Sequence, residues 1–172
     1  MNEIEDARVP YLFYVDMMKK EEIAKVVEGL LQERGCFLVG VTVSAENDIE
    51  IAIEKTEGTV EMEDCVAVDH LVHEKFPQDD EDYSLTVTSA GLDRPFKVLA
   101  QYVKAVGSKV TVSLKGGRRM VATLTSADEN GIGVSYTALE AVEGKKKKEK
   151  VLHEETLPFD WINSVTPYIE FE

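Results

Sequence analysis

The sequence of 172 residues predicts an α+β fold in two parts, an N-terminal α-β-β-α-β two-layer domain followed by a C-terminal small all-β barrel of the SH3 or Sm type. Three observations lead to this prediction. Two segments of the first half have apolar residues at helical spacing, three others alternate apolar and polar residues, and beyond Gly107 alternation prevails. The composition, 44% apolar and 30% charged, argues against general disorder.

The first half supplies two helices. Apolar residues at i, i+3, i+4, i+7 and i+8 predict a helix that begins near Met17 and ends at Gly35. This stripe consists of Ile23, Val26, Val27, Leu30 and Leu31. A weaker stripe predicts a second helix over about Val60–Phe76, with Thr59 as its N-cap. Residues 1–16 show no clear period and are assigned to an N-terminal extension, which is an ordered arm, a flexible tail or a mis-called upstream start.

Three alternating runs predict the sheet that these helices cover. The turn Ala45–Asp48 joins the first two runs into a hairpin, and the third run is Tyr83–Thr88. The same alternation predicts which residues share the covered face. They are Phe37, Val39, Val41 and Val43 in the first run and Ile49, Ile51 and Ile53 in the second.

Turn-forming residues at positions 89–95 mark a domain boundary. We therefore predict an extension at 1–16, an α+β domain at 17–92 and a barrel domain at 93–172. Pro95 is expected to begin a short helix that Asp93 caps and that ends at Gly107.

Five short strands are predicted between Val110 and Ile169. Gly116-Gly117 and Asn130-Gly131 are hairpin signals, because glycine adopts positive φ without strain. Glu140–Lys150 is a long polar excursion, and Pro158–Ile162 is expected to form a tight helical turn. Strands this short and this closely spaced are typical of a small barrel.

The net charge of −14 is unevenly distributed. Residues 1–94 carry 8 basic and 23 acidic residues, a net charge of −15, whereas residues 95–172 have a net charge of +1. A protein that coats nucleic acid with net positive charge is therefore disfavoured. An acidic surface attracts basic partners, although it can also serve solubility alone.

Charged side chains of both signs are candidate binding residues. The acidic candidates, which would dock a basic protein, are Glu46, Asp48, Glu50 and Glu54, together with the loop Asp79–Asp82. The basic candidates, which would contact nucleic-acid phosphates, are Lys115, Arg118 and Arg119 beside the Gly-Gly turn and the run Lys145, Lys146, Lys147 and Lys148. The alternative for each set is a solvated charged surface.

Catalytic, metal and membrane signals are weak. His70 and His73 lie one helical turn apart near Cys65, but neither a second cysteine pair nor an HExxH motif supports a metal site. The sequence has no phosphate-binding loop or nucleophile motif, so no enzyme activity, cofactor or metal is predicted. No apolar run approaches the ~20 residues of a membrane span. Cys36 and Cys65 are expected to be free thiols.

The segment Leu85–Pro95 resembles the junction motif of the bacterial ribosome maturation factor RimP family, in which a strand runs into Ser-Pro-Gly-Leu-Asp-Arg-Pro. The matching residues are Ser89, Gly91, Leu92, Asp93, Arg94 and Pro95, whereas Ala90 replaces the usual proline. The order of elements and the late segment Leu157–Ile162 are similar to the family as well. The resemblance covers about residues 18–170, without the lysine-rich loop.

This resemblance implies a cytoplasmic, non-enzymatic, monomeric factor in late assembly of the small (30S) ribosomal subunit. It would bind immature 30S particles through a basic ribosomal protein near the decoding region, through 16S rRNA, or through both. Gly91–Pro95 would form an interdomain elbow or contact the ribosome. Two alternatives stay open, an Sm-like RNA-binding regulator that forms oligomers and a small hydrolase.

Overall fold

The computed structural model describes residues 8–78 and 82–170, with side chains from residue 19 onward. In these residues the fold is α+β, with three α-helices, a three-stranded sheet and a five-stranded sheet. The chain divides into two compact units, Met1–Ala90 and Gly91–Glu172.

The first unit has the predicted α-β-β-α-β order. Its elements are α1 (Arg8–Glu33), β1 (Cys36–Val43), β2 (Asp48–Lys55), α2 (Met62–Lys75) and β3 (Ser84–Ser89). β2 is the central strand, with β1 antiparallel to it and β3 parallel to it. The apolar face of β2 packs against both helices, so this unit has two layers.

Both helices begin at other residues than the sequence predicts. α1 begins at Arg8, within the segment that was assigned to an extension, because the mixed pattern of residues 8–16 hides its period. α2 begins at Met62, and its N-cap is Glu61 rather than Thr59. The Asp64 carboxylate accepts a hydrogen bond from the Glu61 amide at 2.9 Å, which holds the first turn at that residue.

A β-bulge divides strand β1 between the two faces of the sheet. The register shifts between Leu38 and Gly40, so that Val39 has no direct partner on β2. Leu38 and Val41 therefore pack with the helices, whereas Phe37 belongs to a separate cluster. That cluster consists of Phe37, Val39, Ala52 and Ala90. The prediction that Phe37, Val39, Val41 and Val43 share one face is wrong for its first two residues.

The second unit follows with one helix and five strands. Its elements are α3 (Leu99–Ala105), β4 (Lys109–Leu114), β5 (Arg119–Ala127), β6 (Gly131–Glu140), β7 (Glu149–Pro158), a 3-10 turn (Phe159–Trp161) and β8 (Ile162–Pro167). The strands pair antiparallel in the order β7-β6-β5-β4-β8. Gly116 and Gly117 have φ values of 97° and 96°, as the predicted hairpin between β4 and β5 requires.

The five-stranded sheet does not close into the predicted barrel. Strands β7 and β8 are its two edges, and among the residues that the structure describes they are not paired with each other. Only Phe159–Trp161 separates the end of β7 from the start of β8. The sheet must therefore curve until these two ends of its edge strands lie close together. The ladder of β7 ends at Pro158, which has no N–H to donate, and the 3-10 turn then redirects the chain.

Helix α3 begins later than predicted. The Phe96 amide donates to the Val165 carbonyl at 2.8 Å, which holds residue 96 against β8 rather than in a helix. The buried Gln101 Oε1 accepts from the amides of Lys97 and Val98, at 2.6 and 3.2 Å, and so caps the helix. Pro95 and Asp93 lie outside the helix, and the prediction that they start and cap it is wrong.

Candidate functional site

The predicted acidic residues lie together in the first unit. Ile49, Ile51 and Ile53 face the helices, so by alternation Asp48, Glu50 and Glu54 lie on the opposite face of β2. Glu46 lies in the turn between β1 and β2. We refer to these four residues as the acidic face. Of the predicted loop Asp79–Asp82, residues 79–81 lie outside the described residues.

Hydroxyl groups accompany the carboxylates of the acidic face. A depression of about 320 Å³ is lined by Asp48 and Glu50 and by the hydroxyl-bearing residues Thr42, Ser44 and Thr86, among others. Ser44 Oγ accepts hydrogen bonds from the amides of Glu46 and Asp48, at 3.2 and 3.0 Å, which holds the turn beside it. Carboxylates and hydroxyl oxygens accept hydrogen bonds, so this surface is suited to lysine or arginine side chains.

The junction segment Gly91–Pro95 is exposed along its whole length. In the first unit, the Ala90 amide donates to Ile53 O at 3.0 Å, and in the second, Phe96 is bonded to β8. Gly91 has a φ of 80°, a conformation that favours glycine, and the side chain of Leu92 is 72% exposed. An exposed segment of this kind is compatible with an elbow and with a partner contact.

The basic residues beside the Gly-Gly turn divide into two kinds. Lys115 and Arg119 are exposed on the hairpin. Arg118 instead turns toward β6 and β7, where its guanidinium donates to Tyr136 Oη at 2.8 Å and lies 3.5 Å from Glu155. Its carbon Cζ lies 5.9 Å from the centre of the Tyr136 ring. Arg118 therefore connects the hairpin to the neighbouring strands.

A stacked pair of rings continues from Arg118 along the strands. Tyr136 and His153 are directly opposite each other in the register of β6 and β7, and their rings stack with centroids 5.3 Å apart. His153 Nε2 lies 2.6 Å from Glu140 Oε1. We refer to Arg118, Tyr136, His153 and Glu140 as the brace. Sequence reasoning missed it because the register that pairs Tyr136 with His153 is not visible in the alternation of either strand.

The lysine run lies at the tip of a two-stranded ribbon. The pairing of β5 with β6 ends at Thr123 and Ser135, whereas β6 and β7 continue to Glu140 and Glu149. Of the predicted polar excursion Glu140–Lys150, only the ends, Glu140, Glu149 and Lys150, are strand, and 141–148 is the loop. Lys145, Lys146, Lys147 and Lys148 are all exposed, and Lys145 forms an ion pair with Glu149.

A buried carboxylate that the sequence did not reveal joins three segments of the first unit. Asp64 is 1% exposed, and it accepts hydrogen bonds from Arg34 Nε at 2.9 Å and from Lys55 Nζ at 3.0 Å. The bond from the Glu61 amide, and then those from Lys55 and Arg34, hold the pKa of Asp64 below its ordinary value, although burial alone would raise it. This arrangement holds the fold together and is not aimed at a ligand.

The two histidines of α2 differ in their surroundings. His73 Nδ1 lies 2.9 Å from the Asp69 carbonyl oxygen and the ring stacks on Tyr83, whereas His70 is exposed. In the described part of the chain, no three His, Cys, Asp or Glu side chains are grouped to hold a metal ion. Cys36 and Cys65 are free, and burial raises the pKa of both thiols. None of the described helices is long and apolar enough to cross a membrane.

Comparison with known proteins gives a consistent result. Residues 26–93 match the model of the RimP N-terminal domain. The chain is 34% identical over 143 residues to "Ribosome maturation factor RimP" of Christiangramia forsetii, which covers 83% of this chain and 92% of that relative. The protein of the same name from Cytophaga hutchinsonii is 34% identical, over 79% of this chain and 86% of that relative. The one from Porphyromonas gingivalis is 29% identical, over 82% of this chain and 92% of that relative.

Proposed function

Because this chain belongs to the ribosome maturation factor RimP family, we propose that it is a non-enzymatic factor that assists late assembly of the small ribosomal subunit. The similarity to the Christiangramia forsetii protein carries this proposal, since 83% coverage of the chain extends beyond the first unit into the second. The factor would bind immature 30S particles as a monomer in the cytoplasm. Binding free energy would favour one conformation of the assembling particle, without a cofactor.

The acidic face is our candidate for docking a basic ribosomal protein. Three carboxylates along one face of β2 and a fourth in the adjoining turn form a negative surface. The hydroxyl groups around Asp48 and Glu50 can position a cationic side chain between the carboxylates. In this proposal, a basic protein near the decoding region is held away from premature contacts with rRNA.

The basic residues of the second unit are our candidates for contact with 16S rRNA. Lys115 and Arg119 on the hairpin and Lys145–Lys148 in the β6–β7 loop are exposed. Lysine and arginine bind phosphates without reading the base sequence, which suits an assembly factor that docks on folded rRNA. The exposed junction segment Gly91–Pro95 is a third candidate contact. Arg118 is retained as a candidate, although it is bonded to Tyr136.

Co-sedimentation in sucrose gradients tests the proposal. The full chain is mixed with 30S precursors, mature 30S subunits and 70S ribosomes at two salt concentrations. Selective binding to 30S particles but not to 70S ribosomes is expected. No binding to any particle at low salt would contradict the proposal, and a sizing run that showed an oligomeric ring would then favour the Sm-like RNA regulator.

A matched pair of variants tests the acidic face. Replacing Glu46, Asp48, Glu50 and Glu54 with their amides is expected to weaken the binding of a basic small-subunit protein. The control replaces four acids elsewhere in the first unit, Glu21, Glu28, Glu57 and Glu74, which are exposed. Equal weakening by both variants would mean that net charge, and not this surface, attracts the protein.

A further inference from the structure

The ribbon of β6 and β7 separates from the rest of its sheet beyond Ser135. Pairing with β5 ends at Ser135, and five further residues of β6 pair only with β7. At about 3.4 Å per residue this ribbon is about 17 Å long. We refer to residues 136–153, which comprise the ribbon and its loop, as the lysine arm.

The charge of the lysine arm is opposite to that of the chain. It holds five lysines and three glutamates, within a chain of net charge −14. Two of the glutamates are bound within the arm, Glu140 to His153 and Glu149 to Lys145. The length of the ribbon exceeds the Debye length of about 8 Å at physiological salt. The tip is therefore screened from the charges at the base of its own sheet.

The brace stiffens the base of the arm. An isolated two-stranded ribbon is only marginally stable in water. Here Arg118 reaches from the adjacent hairpin to Tyr136, which stacks on His153, which in turn contacts Glu140. The β4–β5 hairpin is thus connected by side chains to the ribbon where β5 and β6 no longer pair. A stiff arm loses less conformational entropy when its tip binds a partner.

From these observations we infer that the lysine arm binds the phosphate backbone of double-helical RNA. This inference rests on the proposed function and specifies one partner, double-helical RNA. Four consecutive lysines supply cations but no group that reads bases, and the rings of the brace are already stacked on each other. Single-stranded RNA is bound largely through free aromatic rings, so a duplex is the better fit.

One apolar surface of the arm also fits this partner. Leu139 and Leu152 are 65% and 62% exposed, and the register places them on the same face of the ribbon as Lys150. The minor groove of an A-form duplex is wide and shallow and exposes the riboses. The leucines can pack against these sugars while the lysines contact phosphates on either side.

Titration of a fluorescent RNA duplex of about 16 base pairs with the full chain tests the inference. Affinity is measured between about 50 and 200 mM salt, and a single strand of the same sequence serves as the competing probe. Replacing Lys145–Lys148 with glutamine is expected to lower affinity at least about tenfold and to reduce the slope of log K against log salt by about 3. The control replaces Lys20, Lys25, Lys75 and Lys97, which changes the net charge equally and should leave the slope unchanged.

Two further variants test the brace as a positioning device. His153→Ala is expected to weaken duplex binding several-fold without changing the salt slope, because every lysine is still present. His153→Gln keeps a donor for Glu140 and should restore most of the affinity. A reduced salt slope in His153→Ala would contradict the positioning role, since the number of phosphate contacts would then have changed.

The outcomes separate this inference from the proposed function. If the full chain co-sediments with 30S precursors but does not bind the duplex at low salt, the arm inference is wrong and the assembly role stands. Tighter binding of the single strand would also overturn it. If replacing Leu139 and Leu152 with serine abolishes 30S binding while the lysine variant retains it, the arm contacts a protein instead of RNA.

Discussion

Asp64 shows how one buried carboxylate can hold separate segments of the chain in place. Its partners are Arg34, just beyond the end of α1, Lys55 at the end of β2, and the Glu61 amide at the start of α2. Removing one member of a buried ion network leaves the other charges without compensation. We expect Asp64→Ala to lower the free energy of unfolding by about 3–5 kcal/mol, measured by urea denaturation. Glu63→Gln, an exposed change on the same helical turn, should cost less than about 0.5 kcal/mol.

The same carboxylate makes stability depend on pH in a defined direction. The pKa of Asp64 is lower in the folded protein than in the unfolded chain, so its contribution is complete above the unfolded value of about 3.9. It is lost as the pH falls through the folded pKa. The difference in unfolding free energy between the wild type and Asp64→Asn should therefore be constant from pH 7 to about pH 5 and shrink below about pH 4. A constant difference down to pH 2.5 would show that folding does not lower the pKa of Asp64.

The contacts of Asp64 join residues that are distant in the sequence, and for this reason sequence analysis did not predict them. Arg34 and Lys55 are 30 and 9 residues from Asp64, and no local pattern indicates that they converge. The acidic face was easier to predict, because alternation around Ile49, Ile51 and Ile53 is local and determines which side the carboxylates take. The contact of Arg118 with Tyr136 was missed for the same reason as the Asp64 contacts, since Tyr136 lies on another strand.

At the scale of elements, the start of α3 is set by a distant hydrogen bond. The bond from the Phe96 amide to Val165 O prevails over the local preference of Pro95 to begin a helix. Gln101→Ala is expected to cost about 1–2 kcal/mol, because two amides lose their acceptor in a partly buried position. Gln101→Glu retains the acceptor and should be less costly. Asp93→Ala should change stability by less than about 0.5 kcal/mol, since Asp93 is exposed and lies outside the helix. A larger loss for Asp93→Ala than for Gln101→Ala would contradict the observed cap.

The elements were predicted with more success than their boundaries. The periods around Val27 and Val112 reveal a helix and a strand, because each buries one regular stripe. The bulge at Val39 could not be predicted from the sequence. The apolar and polar residues of β1 alternate without interruption, yet the extra residue places the side chains before the bulge on the opposite face of the sheet. The predicted strands end before Glu140 and begin after Glu149, because a run of polar residues indicates a loop. Exposed strands can, however, carry polar residues on both faces.

At the scale of the whole molecule, the two units differ most in charge. Residues 1–90 carry 7 basic and 22 acidic residues, a net charge of −15, and residues 91–172 carry 12 and 11, a net charge of +1. Each unit also has its own hydrophobic core, represented by Ile51 in the first and Val165 in the second. Self-repulsion of like charges destabilises a compact state, and dissolved salt screens it.

Salt should therefore stabilise the first unit more than the second. We expect amide hydrogen exchange in β2 to slow by about fivefold, equivalent to about 1 kcal/mol, when salt is raised from low to about 0.5 M. Exchange in β4 should change much less, because the second unit is nearly neutral and gains little from screening. Sucrose at equal osmolality is the control, since it favours burial in both units alike. If salt slowed amide exchange in β2 and β4 equally, the two units would unfold together. Screening the self-repulsion of the first unit would then stabilise both.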